Sequence, residues 1–138
     1  MGRTMPANIF FDTNVIAYFA SENDVKAGQS ARLLEQGGVI SVQVLNEFAR
    51  ASIGKRKLSY VELRTTLHAV KAVCKVVPLT VETHDLGLVF AERYQLGVYD
   101  SMIVSAAVLA ECATLYSEDM HDGLVIGGLT IRNPYKTR

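Results

Sequence analysis

The 138-residue sequence has only two cysteines, no net charge and no long hydrophobic run. Cys74 and Cys112 form no C-x-x-C pair, so the sequence indicates neither a zinc site nor a redox pair. Both cysteines fall in apolar surroundings, which favours buried, reduced thiols. The 14 basic residues balance the 14 acidic ones, and this balance argues against a strongly basic protein that coats nucleic acid.

Other features that the sequence lacks limit where the protein is expected to act and which kinds of catalytic site it can have. The longest apolar helical stretch, residues 102–110, is far too short to cross a bilayer. The first residues lack the apolar core and cleavage site of a signal peptide. The 3 histidines lack the spacing of metal ligands, and no Ser-His-Asp or Cys-His pattern is convincing. We therefore expect a soluble cytoplasmic protein, without a membrane partner, whose chemistry rests on other residue types.

Short apolar strands alternate with helices along the chain. Hydrophobic residues make up 49% of the sequence, which is enough for one domain spanning residues 1–138. The predicted strands are 9–11, 39–40, 75–79, 113–117 and 129–131. The predicted helices are 15–20, 25–36, about 42–54, 60–74, a segment beginning near Thr80 or Thr83, and 101–111. This alternation predicts an α/β fold with a mostly parallel sheet covered on both faces.

Local sequence patterns mark several helix ends. Asp24 is expected to cap the second helix. Ser59 and Glu62 match the capping-box pattern at the start of the fourth helix. Gly97 is expected to break the fifth. The core candidates of the fourth helix are Val61, Leu63, Leu67, Val70 and Val73.

Four carboxylates follow predicted strands or lie near the start of predicted helices. Open α/β sheets bind their ligands at the carboxyl edge of their strands. Asp12 directly follows the first strand, and Asp119 follows the fourth. Asp100 opens a helix, and Glu47 lies early in the helix after the second strand. Because the carboxyl ends of parallel strands share one edge of the sheet, we expect these acids to converge.

A cluster of four acids is expected to bind a cation that neutralises part of its negative charge. Like charges in one pocket raise each other's pKa and destabilise the fold. Hard oxygen ligands suit Mg²⁺ or Mn²⁺. A metal of this kind can polarise a phosphoryl oxygen and activate a bound water, so no nucleophilic side chain is needed. The sequence therefore predicts metal-dependent hydrolysis of a phosphodiester.

The segments around these acids resemble the motifs of the PIN-domain ribonucleases. The matching segments, in the family's order, are Phe11-Asp12-Thr13-Asn14-Val15, Asn46-Glu47, Tyr99-Asp100-Ser101-Met102-Ile103 and Ser117-Glu118-Asp119-Met120. The tail 128–135 is similar to the ending of the family. Each motif alone is weak evidence for this family. Four motifs in the family's order, in a chain of this length, are specific evidence for it. The resemblance covers nearly the whole chain and is closest to the VapC-type toxins of bacterial toxin–antitoxin pairs.

The resemblance implies a Mg²⁺- or Mn²⁺-dependent endoribonuclease with a PIN-like, Rossmann-like sandwich, often paired as a homodimer. By position, Asp12, Glu47, Asp100 and Asp119 correspond to the metal-binding and catalytic acids of the family. The resemblance also implies a cognate antitoxin that blocks the acidic pocket, and an RNA substrate, commonly tRNA or ribosomal RNA.

Other residues have less certain roles. The resemblance implies that Thr13, Asn14 and Ser117 are supporting polar residues that orient carboxylates or a metal-bound water. In the loop after the fourth strand, Glu118 or Asp122 could replace or assist the preferred Asp119. The basic run Lys55-Arg56-Lys57 either contacts RNA phosphates or forms a solvated turn.

Three alternatives to the toxin remain at this stage. A phosphatase with a strand-end Asp nucleophile would want a second Asp at position 14, where this chain has Asn14. A PIN-like domain could instead be an RNA-processing nuclease. It could also be a non-catalytic binding module, although a degenerate member would lose acids that this chain retains.

Overall fold

The computed structural model describes residues 8–136, which form a six-stranded sheet flanked by helices. The strands are β1 (Ile9–Phe11), β2 (Gly38–Ser41), β3 (Cys74–Val77), β4 (Thr114–Tyr116), β5 (Val125–Ile126) and β6 (Leu129–Arg132). The helices are α1 (Thr13–Phe19), α2 (Asp24–Glu35), α3 (Val42–Gly54), α4 (Tyr60–Val73), α5 (Val81–Tyr94) and α6 (Val98–Leu109). This architecture confirms the predicted α/β fold.

The strand order β3-β2-β1-β4-β6-β5 places β1 inside the sheet. β1 pairs in parallel with β2 on one side and with β4 on the other. The carboxyl ends of these three strands therefore meet at one edge, where Ser41 ends β2 and where Asp12 and Ser117 directly follow β1 and β4. Side chains that are distant in sequence come together at this edge.

The two-residue strand β5 was not expected from the sequence. It pairs antiparallel with β6, with Ile126 opposite Leu129. Gly127, at φ +61°, makes the turn between them, a conformation that glycine adopts without steric cost. Two residues are too few to show the alternating pattern that predicts a strand.

Side-chain caps begin most of the helices. Ser41 caps α3 by accepting a hydrogen bond from the Val44 amide at 3.4 Å. At the start of α4, Ser59 and Glu62 exchange both hydrogen bonds of the predicted capping box. Thr80 caps α5. These caps satisfy amide groups that have no partner within the helix.

Several predicted helix boundaries are wrong by about one to three residues. Asn23, rather than Asp24, caps α2 by accepting a hydrogen bond from the Lys26 amide. Helix α5 ends before Gly97, because Gln95 already takes the left-handed conformation at φ 58°. Gly97 is instead the N-cap of α6. Neighbouring residues of similar cap propensity cannot be separated by sequence pattern alone.

Helix α6 packs centrally, as its composition predicts. All residues from 101 to 107 are buried, and the helix contacts α5, α3 and β2. Its small and apolar side chains allow this close packing. Across residues 8–136, no helix is long and apolar enough to cross a membrane.

Helix α4 contributes a narrower core face than expected. Leu63 and Val70 are buried and Leu67 is partly buried, so the core stripe follows a spacing of four and then three residues. Val61 is 66% exposed and Val73 is 43% exposed. Both were predicted as core residues, but they lie off this stripe.

Gly38 permits close contact between β2 and β1. A Cβ atom at this position would lie 2.6 Å from the ring of Phe11 and 2.9 Å from the backbone oxygen of Ile9. These separations are shorter than real Cβ contacts. A larger residue would therefore disturb the strand that carries Asp12.

Candidate active site

Asp12 lies at the carboxyl end of β1 and is also the N-cap of α1. It is only 3% exposed. Its Oδ1 accepts a hydrogen bond from the Thr13 amide at 2.7 Å, and its Oδ2 accepts one from the Ser117 hydroxyl at 2.7 Å. Ser117 follows β4, so the parallel pairing of β1 with β4 brings the two side chains together.

The surroundings of Asp12 oppose its negative charge. Burial raises the pKa of Asp12 from 3.8 to about 6, although hydrogen bonds from Ser117 and Thr13 act in the opposite direction. The charges of Asp100 and Glu47 raise this pKa further. A bound cation would stabilise a buried carboxylate held near two like charges.

Glu47 reaches the same pocket from α3. Its Oε1 accepts a hydrogen bond from the Thr13 hydroxyl at 3.2 Å, and its Oε2 accepts one from the side-chain amide of Gln43 at 2.9 Å. Gln43 is not part of the predicted site. Its place four residues before Glu47, on the same helix face, is the sequence pattern that could have identified it.

Asp100 approaches from the first turn of α6 and is partly buried. Burial raises the pKa of Asp100, and the charges of Glu47 and Asp119 raise it further. Because a helix N-terminus normally favours a carboxylate, the raised pKa shows how strongly burial and the neighbouring acids oppose the charge.

Asn14 connects Asp12 to the loop after β4. Its Nδ2 lies 3.3 Å from Oδ2 of Asp12 and 3.3 Å from Oδ2 of Asp119. Its Oδ1 accepts a hydrogen bond from the Glu118 backbone amide at 3.2 Å. One side chain thus positions two of the predicted acids relative to each other.

Of the three acids in this loop, Asp119 is the one whose side chain bonds to Asn14. The Glu118 carboxylate forms an ion pair with Lys26. Asp122 accepts a hydrogen bond from the Asn133 amide at 2.8 Å. The structure therefore brings Asp119 to the predicted acids, while Glu118 and Asp122 contact α2 and the segment after β6.

Tyr18, Lys26, Glu118 and Tyr135 form an aromatic and charged cluster beside the loop. Lys26 Nζ lies 4.7 Å from the ring centre of Tyr18 and 5.5 Å from that of Tyr135. Burial alone would raise the pKa of Glu118, but hydrogen bonds from Lys26 and Tyr18 outweigh it and lower the pKa. Sequence reasoning missed this cluster because its members lie on separate elements and share no motif.

The predicted acids suit a hard divalent cation in chemistry but do not enclose one. Within residues 8–136, no group of three His, Cys, Asp or Glu side chains is arranged to hold a metal ion. The acids nevertheless offer only oxygen donors, which Mg²⁺ and Mn²⁺ prefer. Burial is the main cause of the raised pKa of Asp12 and Asp100, and repulsion between the acids adds to it. A cation would offset both effects, which is the second reason why one fits here.

The basic run after α3 divides into two parts. Arg56 donates a hydrogen bond from Nη2 to the Ala17 carbonyl at 3.0 Å, and its guanidinium lies 6.0 Å from the ring centre of Phe48. Lys55 and Lys57 are exposed. Arg56 therefore joins α3 to α1, which leaves the two lysines as the residues of this run that face solvent.

The model of the PIN domain family matches residues 9–121. The chain belongs to the PIN domain family. The matched segment includes Asp12, Glu47, Asp100 and Asp119, which the resemblance assigned to that family's acids. No curated protein is similar enough in sequence to count as a relative.

Solved structures share this PIN fold. A toxin–antitoxin complex from Klebsiella pneumoniae matches with a TM-score of 0.69 and 20% identity, over 94% of this chain and 99% of that chain. VapC20 of Mycobacterium tuberculosis, a sarcin–ricin loop cleaving toxin, matches with a TM-score of 0.65 and 18% identity, over 80% and 89%. VapBC2 from Rickettsia felis, bound to a DNA fragment from its promoter, matches with a TM-score of 0.64 and 20% identity, over 91% and 97%. At these identities the likeness establishes the shared fold.

Proposed function

We propose that this PIN domain is a Mg²⁺- or Mn²⁺-dependent endoribonuclease and the toxin of a toxin–antitoxin pair. The observation that carries the nuclease proposal is the convergence of four carboxylates at one edge of the sheet. Thr13 bonds to both Asp12 and Glu47, and Asn14 bonds to both Asp12 and Asp119. Glu47 and Asp100 line one cavity. Such a cluster is costly for folding alone. Its cost is explained if the acids hold a cation that acts on phosphodiesters.

Each acid has a role in this mechanism. Asp12, Glu47, Asp100 and Asp119 would hold the metal, which supplies polarisation of a phosphoryl oxygen and activation of water. Ser117 and the Thr13 amide fix the Asp12 carboxylate.

Further hydrogen bonds orient Glu47 and Asp119. The Thr13 hydroxyl and Gln43 fix the two oxygens of Glu47. Asn14 sets the separation of Asp12 and Asp119. These contacts hold the carboxylates in place before substrate binds, which lowers the cost of organising the transition state.

The toxin assignment includes a cognate antitoxin as partner. Two of the structures that share the fold are a toxin–antitoxin complex and the VapBC2 complex. The chain offers an apolar cavity of about 240 Å³ between α1, α2 and α4, lined mainly by Phe19, Ala31, Leu34, Ala69, Val70 and Val73. An amphipathic antitoxin helix would bury this surface. A homodimer is a further proposal, supported only by the family resemblance.

The proposed substrate is structured RNA, either tRNA or ribosomal RNA. VapC20, which shares the fold, cleaves the sarcin–ricin loop. Lys55 and Lys57 offer positive charge for RNA phosphates, and they are exposed. This target class guides the choice of substrate in the test below.

The test is cleavage of total RNA by the purified, antitoxin-free protein. We expect cutting with Mn²⁺ or Mg²⁺ and none with EDTA. Asp12→Asn and Asp100→Asn should remove cutting, because each takes one carboxylate from the site. Asp85→Asn is the matched control, since its side chain lies exposed on α5, and this variant should cut like the wild type.

The outcomes separate three explanations. Equal cutting by the wild type and both site variants would identify a contaminating nuclease. Metal-independent cutting would contradict the proposed metal site. Absence of cutting, together with absence of Mn²⁺ binding by calorimetry, would reject the nuclease proposal and favour a non-catalytic binding module.

A further inference from the structure

A second cavity lies directly beside the acids, between α3 and the start of α6. Its volume is about 380 Å³, within the range of cavities that bind small molecules. Its lining residues are Gln43, Asn46, Glu47, Arg50, Tyr99 and Asp100. Since Glu47 and Asp100 are also proposed metal ligands, anything bound in this cavity lies next to the reacting centre.

On the α3 side, this cavity is lined by the positively charged Arg50. Gln43, Glu47 and Arg50 follow one another at spacings of four and three residues and so share a helix face. Arg50 is exposed and forms no hydrogen bond or ion pair with any residue between 8 and 136. Its guanidinium is therefore available to an anion, and it has the planar geometry that suits a phosphate.

The opposite wall presents an aromatic ring. Tyr99, one residue before Asp100, is 67% exposed and has no ring or cation partner in the described part of the chain. Isolated exposed aromatics are common on protein surfaces. This ring is informative because it faces the same cavity as a free guanidinium.

We propose that this cavity binds the nucleotide next to the scissile phosphate, with its base stacked on Tyr99 and its phosphate bound by Arg50. This inference rests on the proposed ribonuclease function and specifies how that site holds RNA. Stacking on aromatic rings and pairing of phosphate with arginine are the usual means of binding unpaired nucleotides. Asn46 is exposed in the same wall and can bond to the edge of the base.

Charge favours RNA over a protein as the occupant. The unpaired Arg50 attracts a polyanion, and the adjacent acids would be neutralised by the metal during the reaction. A cognate antitoxin is expected to block the acids themselves, whereas Arg50 and Tyr99 lie in the cavity beside them. A nucleotide uses both of these groups, because its phosphate pairs with Arg50 and its base stacks on Tyr99.

The first experiment measures binding of a fluorescein-labelled, mixed-sequence 12-nucleotide RNA by anisotropy. Calcium replaces the catalytic metal, so that the carboxylates are neutralised, and gels verify that the RNA stays intact. Tyr99→Leu should weaken binding about tenfold or more, whereas Tyr99→Phe should keep it within about twofold because the ring remains. Tyr60→Leu, which removes a ring with 64% exposure on α4, is the matched control and should bind like the wild type.

Arg50 is tested through salt dependence. Arg50→Gln should weaken binding and make the slope of log Kd against log salt shallower by about 0.7, the change expected for one lost phosphate contact in single-stranded nucleic acid. Arg50→Lys should preserve most of the slope because it keeps the charge. An unchanged slope in Arg50→Gln would contradict the phosphate contact.

The second experiment locates the stacked base. A series of RNAs, each with one abasic nucleotide, should contain one position whose loss weakens wild-type binding about tenfold. The same abasic position should cost Tyr99→Leu almost nothing, because the stacking contact is already absent. Equal losses in both proteins would show that Tyr99 does not stack on that base.

Failure of this inference is distinguishable from failure of the nuclease proposal. If the wild type cuts RNA and Tyr99→Leu binds and cuts it equally well, the nucleotide site is wrong and the nuclease stands. If the wild type neither cuts RNA nor binds Mn²⁺ but shows the stacking effect, the nuclease is wrong and the nucleotide site stands. No RNA binding by the wild type, or weakening only of antitoxin binding by both variants, would overturn the nucleotide site.

Discussion

At the scale of single residues, Asp12 combines burial with repulsion from Asp100 and Glu47. We expect Asp12→Asn to raise Tm by a few degrees in EDTA, a gain of about 1 kcal/mol. The amide removes a buried charge and keeps one acceptor oxygen, and the Ser117 hydroxyl can turn to accept a hydrogen bond from the amide nitrogen. Mn²⁺ should raise the Tm of the wild type because it binds the folded state, and should barely change that of the variant.

The control for this prediction is Asp85→Asn, whose Tm should respond to Mn²⁺ like that of the wild type. Differential scanning fluorimetry with and without MnCl₂ measures all three proteins. A lower Tm of Asp12→Asn in EDTA would show that the carboxylate's hydrogen bonds with Ser117 and Thr13 outweigh the charge. An equal Mn²⁺ response in the variant would place the metal elsewhere.

Sequence reasoning identified the acids because each occupies a recognisable place on an element. Asp12 follows a strand and Asp100 opens a helix, and such positions can be inferred before any contact is known. The ion pair of Lys26 with Glu118 spans 92 positions. Contacts of this kind depend on how elements pack, which no local pattern records.

At the scale of elements, the contact between β1 and β2 depends on Gly38. Gly38→Ala should lower the free energy of unfolding by about 1–3 kcal/mol, because the added Cβ overlaps with Phe11 and with the backbone of Ile9. Gly54→Ala is the control. Gly54 ends α3, and a Cβ atom added there would meet no atom of another part of the structure within 4 Å. Gly54→Ala should therefore leave stability unchanged or raise it by up to about 1 kcal/mol.

Urea unfolding of both alanine variants measures this difference. Loss of stability in Gly54→Ala equal to that in Gly38→Ala would show that the effect is general to glycine replacement. Unchanged stability in Gly38→Ala would mean that the sheet adjusts without cost. Near-normal RNA cleavage by a folded Gly38→Ala protein would show that the end of β1 is not displaced.

The order of the helices and strands was largely predictable from the sequence. The short strand β5 at the edge of the sheet and the buried side of α4 were not. Apolar runs and capping residues fixed the existence of the main strands and helices. Strand β5 has two residues and depends on its pairing with β6. The exposure of Val61 and Val73 depends on which side of α4 meets its neighbours, and a helix with apolar residues on several faces does not specify that side.

At the scale of the whole molecule, Tyr135 ties the segment after β6 to the helices on one face of the sheet. Its hydroxyl lies 2.6 Å from that of Ser30 on α2, and its ring packs edge-on against Tyr18 at 5.1 Å between ring centres. Burial raises the pKa of Tyr135 from 10.0 to about 12. The folded protein therefore holds this proton more tightly than the unfolded chain does.

This raised pKa predicts a loss of stability in alkaline solution. The protonated Tyr135 contributes to the free energy of unfolding in full below pH 10, and this contribution is lost as the pH rises to about 12. The loss is about 1–2 kcal/mol after allowance for partial exposure of the side chain. Burial also raises the pKa of the Cys74 and Cys112 thiols to about 11. Their ionisation adds to the loss of stability in alkaline solution. The difference between the wild type and Tyr135→Phe isolates the tyrosine.

Urea unfolding from pH 9 to pH 11.5 should show a shallower fall for Tyr135→Phe than for the wild type. Tyr60→Phe removes the hydroxyl of an exposed tyrosine and should keep the wild-type slope. Parallel curves for all three proteins would show that Tyr135 ionises as easily in the folded protein as in the unfolded chain.

The pairing of β1 with β4 also determines when the acidic site forms during synthesis. Ser117 stands 105 positions after Asp12, and Asn14 is as far from Asp119. On the ribosome, β1 emerges early and can pair with β2, but it meets β4 only after residues 114–119 have left the exit tunnel. A nascent chain therefore carries Asp12 without Ser117, and Asn14 without Asp119. The acidic site cannot assemble until the segment after β4 has emerged.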